Sequence, residues 1–303
     1  MGYKREDKKN LLVKKGEKSY NTSHVSRIVP AMNQAKDLIA RLEKLRANHE
    51  KKALKTQLEV ARDPRHKIEE NSVVKSNRLA RAYYRFDIVE KRIMEAMISK
   101  LDSLLANKEQ MQDIRLEASE YANAFGVKLH KAYEEMAGAV HRLMRTVITI
   151  RESDDVKREY TLMAEAVYHK GEGHITATFN PKIVKHLVNL REHFLSYKLK
   201  QTVSFKSSYT WRLFEIMMSW KKSDRPVAGW FTVSVEELKE MLGAPKKYRY
   251  KDLRVWAIDK AIEEIDRELN IKVWYEPIKR GRRVEMLRFN FMEDEQQRLD
   301  LEE

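Results

Sequence analysis

Residues 114–127, IRLEASEYANAFGV, and residues 231–244, FTVSVEELKEMLGA, align without a gap. Both run apolar–polar–apolar and then enter a helix with matching apolar positions. Ile114, Leu116, Tyr121, Phe125 and Gly126 stand opposite Phe231, Val233, Leu238, Leu242 and Gly243. The alternation suits a short strand, and the following i, i+4 spacing marks one face of a helix. The glycine that closes each copy is able to take a positive φ at a helix C-terminus. After a short insertion the match resumes: Met136, Ala139, Val140 and Leu143 share their spacing with Ile258, Ala261, Ile262 and Ile265. A chain that carries this pattern twice is expected to build the same small unit twice.

Each copy is preceded by an apolar-periodic helix, YYRFDIVEKRIMEAMISKL (83–101) in the first and SSYTWRLFEIMMSW (207–220) in the second. Each then enters strand-like sequence: RTVITIRES and HITATFN in the first copy, IKVWYEP and VEMLRFNF in the second. Helix, strand, helix, helix, β-hairpin is the order of a winged helix, a helix-turn-helix with a hairpin attached. The expected fold is therefore α+β and helix-rich, with two tandem winged-helix domains over 71–203 and 204–292. A basic, partly helical N-terminal region (1–70) precedes them and an acidic tail (293–303) follows. Within the N-terminal region, 31–61 is helix-favouring and ends before Asp63-Pro64. The stretch 153–173 is a long excursion in which Tyr160, Leu162, Met163, Val167 and Tyr168 offer further strand structure. PKIVKHLVNLREHFLSYKLK (181–200) reads as a linker helix carrying His186 and His193 two turns apart on one face. Trp211, Trp220 and Trp256 sit at apolar helical positions and are assigned to the core.

The chain has 60 Lys and Arg against 46 Asp and Glu, a net charge of +14. That excess favours a polyanionic partner, either nucleic acid or an anionic membrane surface. Basic residues exceed acidic ones by eight over 1–70, by five over 71–200 and by one over 201–303. The last figure averages strongly basic clusters with a tail of six acids and Arg298. No apolar run approaches the roughly 18–20 residues of a bilayer span, and MGYKREDKKNLLVKKGEK lacks the apolar core of a signal peptide. The absence of Cys excludes disulfides, thiolate metal sites and cysteine nucleophiles. The expected location is the bacterial cytoplasm, with no membrane partner.

In the second unit the turn and the start of the third helix read Lys246, Lys247, Tyr248, Arg249, Tyr250, Lys251, Asp252, Leu253, Arg254: five bases, one acid and two interleaved tyrosines. The N-terminal end of a recognition helix is the part that reaches base edges in the major groove. Arg and Lys there contact guanine O6 and N7 or hold phosphates. The turn between the last two strands reads Lys279, Arg280, Gly281, Arg282, Arg283. Hairpin tips are often charged and merely solvated, so this cluster alone decides nothing. Two clusters at both DNA-facing positions of one motif point to nucleic acid. The first unit is weaker: Lys128, His130, Lys131, His141, Arg142 and Arg145 are partly balanced by Glu134 and Glu135, which suits either phosphate contacts or protein contacts. The candidate DNA-binding set is Lys246, Lys247, Tyr248, Arg249, Lys251, Arg254, Lys279, Arg280, Arg282 and Arg283, with Lys75, Asn77, Lys128 and Lys131 from the first unit.

Catalysis finds little support. Rolling-circle initiators cut DNA with a His-x-His metal pair and a tyrosine; the nine histidines contain no His-x-His, and no Gly-rich loop ending in Gly-Lys-Ser/Thr is present. No catalytic residue, metal or cofactor is therefore expected.

These residues resemble the initiator replication proteins of theta-replicating, iteron-containing plasmids. The resemblance covers about 72–292 and rests on VVKSNRLARAYYRFDIVEKRI (73–93), with Ser76-Asn77 and Glu90-Lys91-Arg92-Ile93. It rests also on the Ser-x-Tyr-x-x-Arg-Leu-Phe-Glu pattern within SSYTWRLFEIMMSW, and on FTVSVEELKEMLG and AIDKAIEEIDRELNI in order. It implies monomers that bind repeated origin sites, dimers that bind an inverted operator and repress the protein's own synthesis, and contacts with the host origin-melting initiator and replicative helicase. It places recognition on 246–254, the wing on 279–283, and dimerisation near the 153–173 hairpin region. The competing reading is a transcriptional regulator with paired winged helices and no part in replication.

Overall fold

The computed structural model describes Arg41, Lys44, Asn48 and residues 67–102, 112–153, 155–224 and 226–294. Arg41, Lys44 and Asn48 are helical and exposed; the rest of the expected helix over 31–61 lies outside the described residues. The elements described below belong to one compact unit within 62–303.

The chain enters that unit along β1 (Ser72–Ser76) and α1 (Asn77–Ala80), where the Ser76 hydroxyl caps the helix by accepting the Leu79 N–H at 3.2 Å. The first winged helix follows. Its opening helix α2 (Ile88–Ser99) starts at Asp87, whose carboxylate accepts the Glu90 N–H while Glu90 reaches back to the Asp87 N–H. Residues 83–87, expected to be helical, lie outside the helix, and Tyr83 forms an isolated bridge with Thr149. The capping box explains the late start, since it fixes the first turn at Asp87. Then come β2 (Asp113–Glu117), α3 (Ala118–Phe125) and α4 (Leu129–Leu143). A separate hairpin, β3 (Val147–Arg151) with β4 (Lys157–Thr161), precedes β5 (Met163–His169) and β6 (His174–Phe179). Within the excursion, 157–161 and 163–169 are strand, which takes in Tyr160, Met163, Val167 and Tyr168, while Leu162 lies between the two strands.

The expected linker helix over 181–200 is not formed. Only α5 (Pro181–Val184) is α-helical, with a 3-10 turn at Leu199–Gln201; between them β7 (Phe194–Lys198) pairs antiparallel with β1, from Phe194 opposite Ser76 to Lys198 opposite Ser72. Asn189 and His193 take left-handed backbone conformations, at φ 49° and 54°, which a continuous α-helix does not admit. In FLSYK, Leu195 and Tyr197 are buried and alternate with exposed neighbours, a period of two that the longer apolar pattern had masked. His186 and His193 accordingly share no helical face.

The second winged helix runs α6 (Ser208–Ser219), β8 (Lys221–Asp224), β9 (Val227–Ser234) and α7 (Val235–Met241). Its third helix has three stretches: α8 (Tyr250–Leu253), a π-helical turn over Arg254–Ile258, and α9 (Asp259–Leu269). It ends on Asn270 at φ 55°, and β10 (Ile271–Arg280) and β11 (Arg283–Glu293) complete the unit. The two sheets have matching topology: β2-β6-β5 in the first unit, β9-β11-β10 in the second, with β8 added at one edge. In both, the strand before the helix-turn-helix pairs with the final strand of the hairpin.

The repeat seen in the sequence is the repeat seen in the core. Ile114, Leu116, Tyr121 and Phe125 are buried in one unit, and Phe231, Val233, Leu238 and Leu242 in the other. Met136, Ala139, Val140 and Leu143 line the inner face of α4, and Ile258, Ala261 and Ile265 that of the second unit's third helix. Gly126 and Gly243 take left-handed conformations at φ 63° and 66°. Around Gly126 there is open space, but a Cβ on Gly243 would lie 2.4 Å from the Tyr84 carbonyl oxygen and 2.9 Å from the Arg85 Cα. The second unit's turn is thus pressed against the backbone entering α2.

Candidate nucleic-acid interface

Gly243 ends α7 and hands the chain to the basic turn. Lys246 and Lys247 are exposed there, and Tyr248 is half-buried. The Arg249 N–H donates to Asp252 at 3.0 Å, so the cluster's single acid serves the start of the helix. The side chains of Arg249, Lys251 and Arg254 are exposed. Arg254 lies 3.7 Å from Asp259 and remains about half exposed, a contact loose enough to be exchanged for a phosphate or base. Leu253, Ala257, Ala261 and Ile265, at i, i+4 intervals, form the buried row that turns these cations outward. The π-helical turn falls within this segment, the kind of irregularity that collects at functional sites.

Trp256 is a correction. It stands on this helix at 54% exposure, outside the core, with the Lys260 ammonium 4.6 Å from its ring centroid. Its position was legible: it lies one residue before Ala257 and three after Leu253, off the buried row. Trp211 is fully buried, and Trp220 is partly buried beneath the Arg81 guanidinium at 3.6 Å.

The wing is a projecting ribbon. β11 pairs with β9 only from Met286, opposite Ser234, to Met292. Beyond that edge, Lys279, Arg280, Gly281, Arg282 and Arg283 are all exposed, with Gly281 at φ 62° in the turn. Arg280 lies 3.4 Å from Glu285 and Arg283 3.5 Å from Glu236, both at least 80% exposed. Pairs this open contribute little to stability and release readily. The two basic clusters therefore belong to one unit, on its helix and on its hairpin, with their cations in solvent.

In the first unit Lys128 and Lys131 are exposed at the start of α4, next to the exposed Leu129 and His130. Arg142 is held back: it pairs with Asp87 at 3.0 Å and with Glu90, and these partners raise its pKa.

Of the first unit's other candidates, Lys75 does not reach the surface. Asn77 is half-buried, and its Oδ1 is enclosed without a hydrogen-bond partner. Lys75 is wholly buried, with its ammonium 2.7 Å from Glu95 and 2.7 Å from Glu215. It belongs to an ionic cluster that joins β1 and α2 to α6. Lys91 bridges the same two carboxylates at 2.6 and 2.7 Å, and Arg212 lies 3.1 Å from Glu215. The Tyr197 hydroxyl sits 2.9 Å from Glu215 and accepts the Trp211 N–H at 2.9 Å. Arg212 also donates to the carbonyls of Ala82 and Met241 at 2.8 and 3.0 Å. Burial alone would raise the pKa of Glu215, but Lys75, Lys91 and Arg212 outweigh it and hold the carboxyl well below the usual range. Sequence charge alone does not separate Lys75 from a surface lysine; its alternation with Val73 on β1 was the available signal.

Comparison with known proteins agrees with this architecture. The family model described as initiator replication protein, first winged-helix domain, matches residues 72–218. The model for the second winged-helix domain of the same initiators matches 234–291. The chain belongs to the initiator replication protein family. A curated relative, a replication initiation protein of Escherichia coli, is 23% identical over 227 residues, covering 74% of this chain and 70% of its own length. A crystal structure of the Pi initiator protein in complex with iteron DNA superposes with a TM-score of 0.61 at 21% identity, covering 75% of this chain and 99% of that one. At that identity the likeness speaks for the fold.

Membership also clarifies what the initiator's signature segments do here. Lys91 in Glu90-Lys91-Arg92-Ile93, and Arg212 and Glu215 in the Ser-x-Tyr-x-x-Arg-Leu-Phe-Glu pattern, meet in the buried cluster. Those segments are legible because a buried charge needs its partners, and they tie α2 to α6 rather than facing outward. Among the described residues no helix is long and apolar enough to cross a membrane.

Proposed function

We propose that this initiator binds repeated sites in double-stranded plasmid origin DNA through its second winged helix. Lys247, Arg249, Lys251 and Arg254 enter a major groove, and Arg280, Arg282 and Arg283 hold an adjacent backbone. The observation that carries this reading is the pairing of two exposed basic clusters on the recognition helix and the wing of one unit. Lys246 and Lys279 add phosphate contacts at either end, and Tyr248 packs the turn. The Pi initiator, which shares this fold, was crystallised on iteron DNA. Lys128 and Lys131 give the first unit a smaller, sequence-independent share of the binding energy. Origin opening, loading of the host helicase with the host initiator, and repression of its own gene by a dimer at an inverted operator complete the proposed role, carried out in the bacterial cytoplasm without catalysis by the chain itself.

The test is a footprint of the purified protein on DNA flanking its own gene, at physiological salt with excess competitor. Several evenly spaced, protected direct repeats beside an AT-rich stretch are expected. Protection of one promoter palindrome alone would overturn the replication role and leave a transcriptional regulator. No protection would overturn DNA recognition as well.

A further inference from the structure

The β5–β6 hairpin of the first winged helix ends in His169-Lys170-Gly171-Glu172-Gly173-His174. His169 and His174 are the closing pair of the strand register. Their rings stack with centroids 4.1 Å apart and planes within 14°. A short 3-10 turn, Lys170–Glu172, and Gly173 at φ 68° bring Glu172 back over the pair. Its carboxylate lies 3.6 Å from the His174 Nδ1. The donor atoms of His169, Glu172 and His174 all lie within 4.8 Å of one another.

What separates this cluster from an ordinary surface turn is His174. It is 2% exposed, and its Nδ1 is buried without a hydrogen-bond partner. A buried imidazole nitrogen left unsatisfied is costly, and the Glu172 carboxylate is 3.6 Å from this one. Two imidazoles and one carboxylate form the donor set of borderline divalent ions such as Zn2+, whereas Mg2+ and Ca2+ prefer oxygen alone.

We propose that His169, Glu172 and His174 form a transition-metal site, with a divalent ion of the Zn2+ class bound at the tip of this hairpin. Zinc bonds of about 2.0–2.1 Å set tetrahedral donors roughly 3.3 Å apart. Closing the site thus needs shifts of up to about 1.5 Å: the half-buried His169 ring turns out of its stack on His174 so that both lone pairs converge, and the mostly exposed Glu172 side chain swings in to join them. The remaining coordination falls to water, because only one side of the cluster is buried. Bound metal would clip β5 to β6 and fix the turn beside α3, where the Ala118 N–H donates to the Gly173 carbonyl at 2.9 Å. The cluster escaped the search for His-x-His because a hairpin, rather than a short spacing on one strand, brings the two histidines together.

The experiment is calorimetric titration of the full chain, first stripped with EDTA, with ZnCl2 and separately with MgCl2. One saturable zinc site per chain, with no magnesium counterpart, is expected. His169→Gln and Glu172→Gln should each weaken zinc binding by roughly 10- to 100-fold or more, and His130→Gln, on α4, should leave it unchanged. Hydrogen exchange should show zinc-dependent protection at 169–174 in the wild type only. Should His174→Gln fail to fold, the other two variants decide the matter, since both change side chains at the hairpin tip. Absence of stoichiometric zinc binding, or binding that survives both His169→Gln and Glu172→Gln, would overturn the site.

Discussion

The two winged helices share a strand order, a glycine turn and a buried helical row, yet they meet the outside differently. In the second unit the third helix and the hairpin tip both carry solvent-exposed cations whose acidic partners, where present, are loose and open, and the tip over 279–283 lies beyond the pairing of β11 with β9. In the first, Arg142 is consumed by Asp87 and Glu90. There the final hairpin lies along β2 to its tip, with His174 opposite Glu117, and an extra hairpin, β3–β4, is inserted before it. One fold thus supports a module whose basic clusters face solvent and a module in which Arg142 is tied to neighbouring carboxylates. Core positions fix the shared topology, and surface charge and hairpin length divide the roles.

Four experiments would break or sharpen this contrast. The largest effect is expected from Glu215→Gln, which leaves Lys75 and Lys91 short of a buried counter-charge. It should cost about 3–5 kcal/mol and lower the stability of both units together in urea unfolding. Two separated transitions, only one of them shifted, would show that the cluster does not couple the units. The acid dependence has a definite sign. Because the folded carboxyl titrates below its unfolded value, its contribution is full above the ordinary glutamate value of about 4.3 and is lost as pH falls through the lower folded value. The stability gap between wild type and Glu215→Gln should therefore narrow on acidification.

Next in size is the contrast between the two turn glycines. Gly126→Ala should cost about 1–2 kcal/mol, the penalty for a left-handed alanine. Gly243→Ala should cost distinctly more, because its Cβ also meets the Tyr84 carbonyl. Equal thermal shifts for the two variants would mean that the second turn is not pressed against the first unit.

Arg249→Ala and Arg254→Ala should each weaken binding to a mapped site by about 1–3 kcal/mol and relax its sequence preference. Lys128→Ala and Lys131→Ala should weaken all sequences slightly and alike, as fluorescence anisotropy would show. A larger, sequence-dependent loss from Lys128→Ala would move base reading to the first unit. The smallest change is expected from Arg282→Ala: a uniform loss of affinity, with the slope of log K against log salt shallower by about one unit.

By itself, the sequence determined what repeats locally. Period-2 and i, i+4 patterns at Ile114–Phe125 and Phe231–Leu242 placed both helix-turn-helix cores, because burial of one face leaves its period in the residues. The basic runs at 246–254 and 279–283 were also legible, since a turn or a helix start has few ways to hide several cations. The tertiary structure decided what depends on residues far apart in the chain. Lys75 is a core residue only because Glu95 and Glu215, 20 and 140 positions away, converge on it. The segment 181–200 contains a strand because β1 offers it an edge, and Glu293, counted with the acidic tail, ends β11 and accepts the Val227 N–H at 3.0 Å. Local periodicity reports which face of an element is buried. The identity of its partner, and whether a charge meets solvent or a counter-charge, is settled only when distant segments pack.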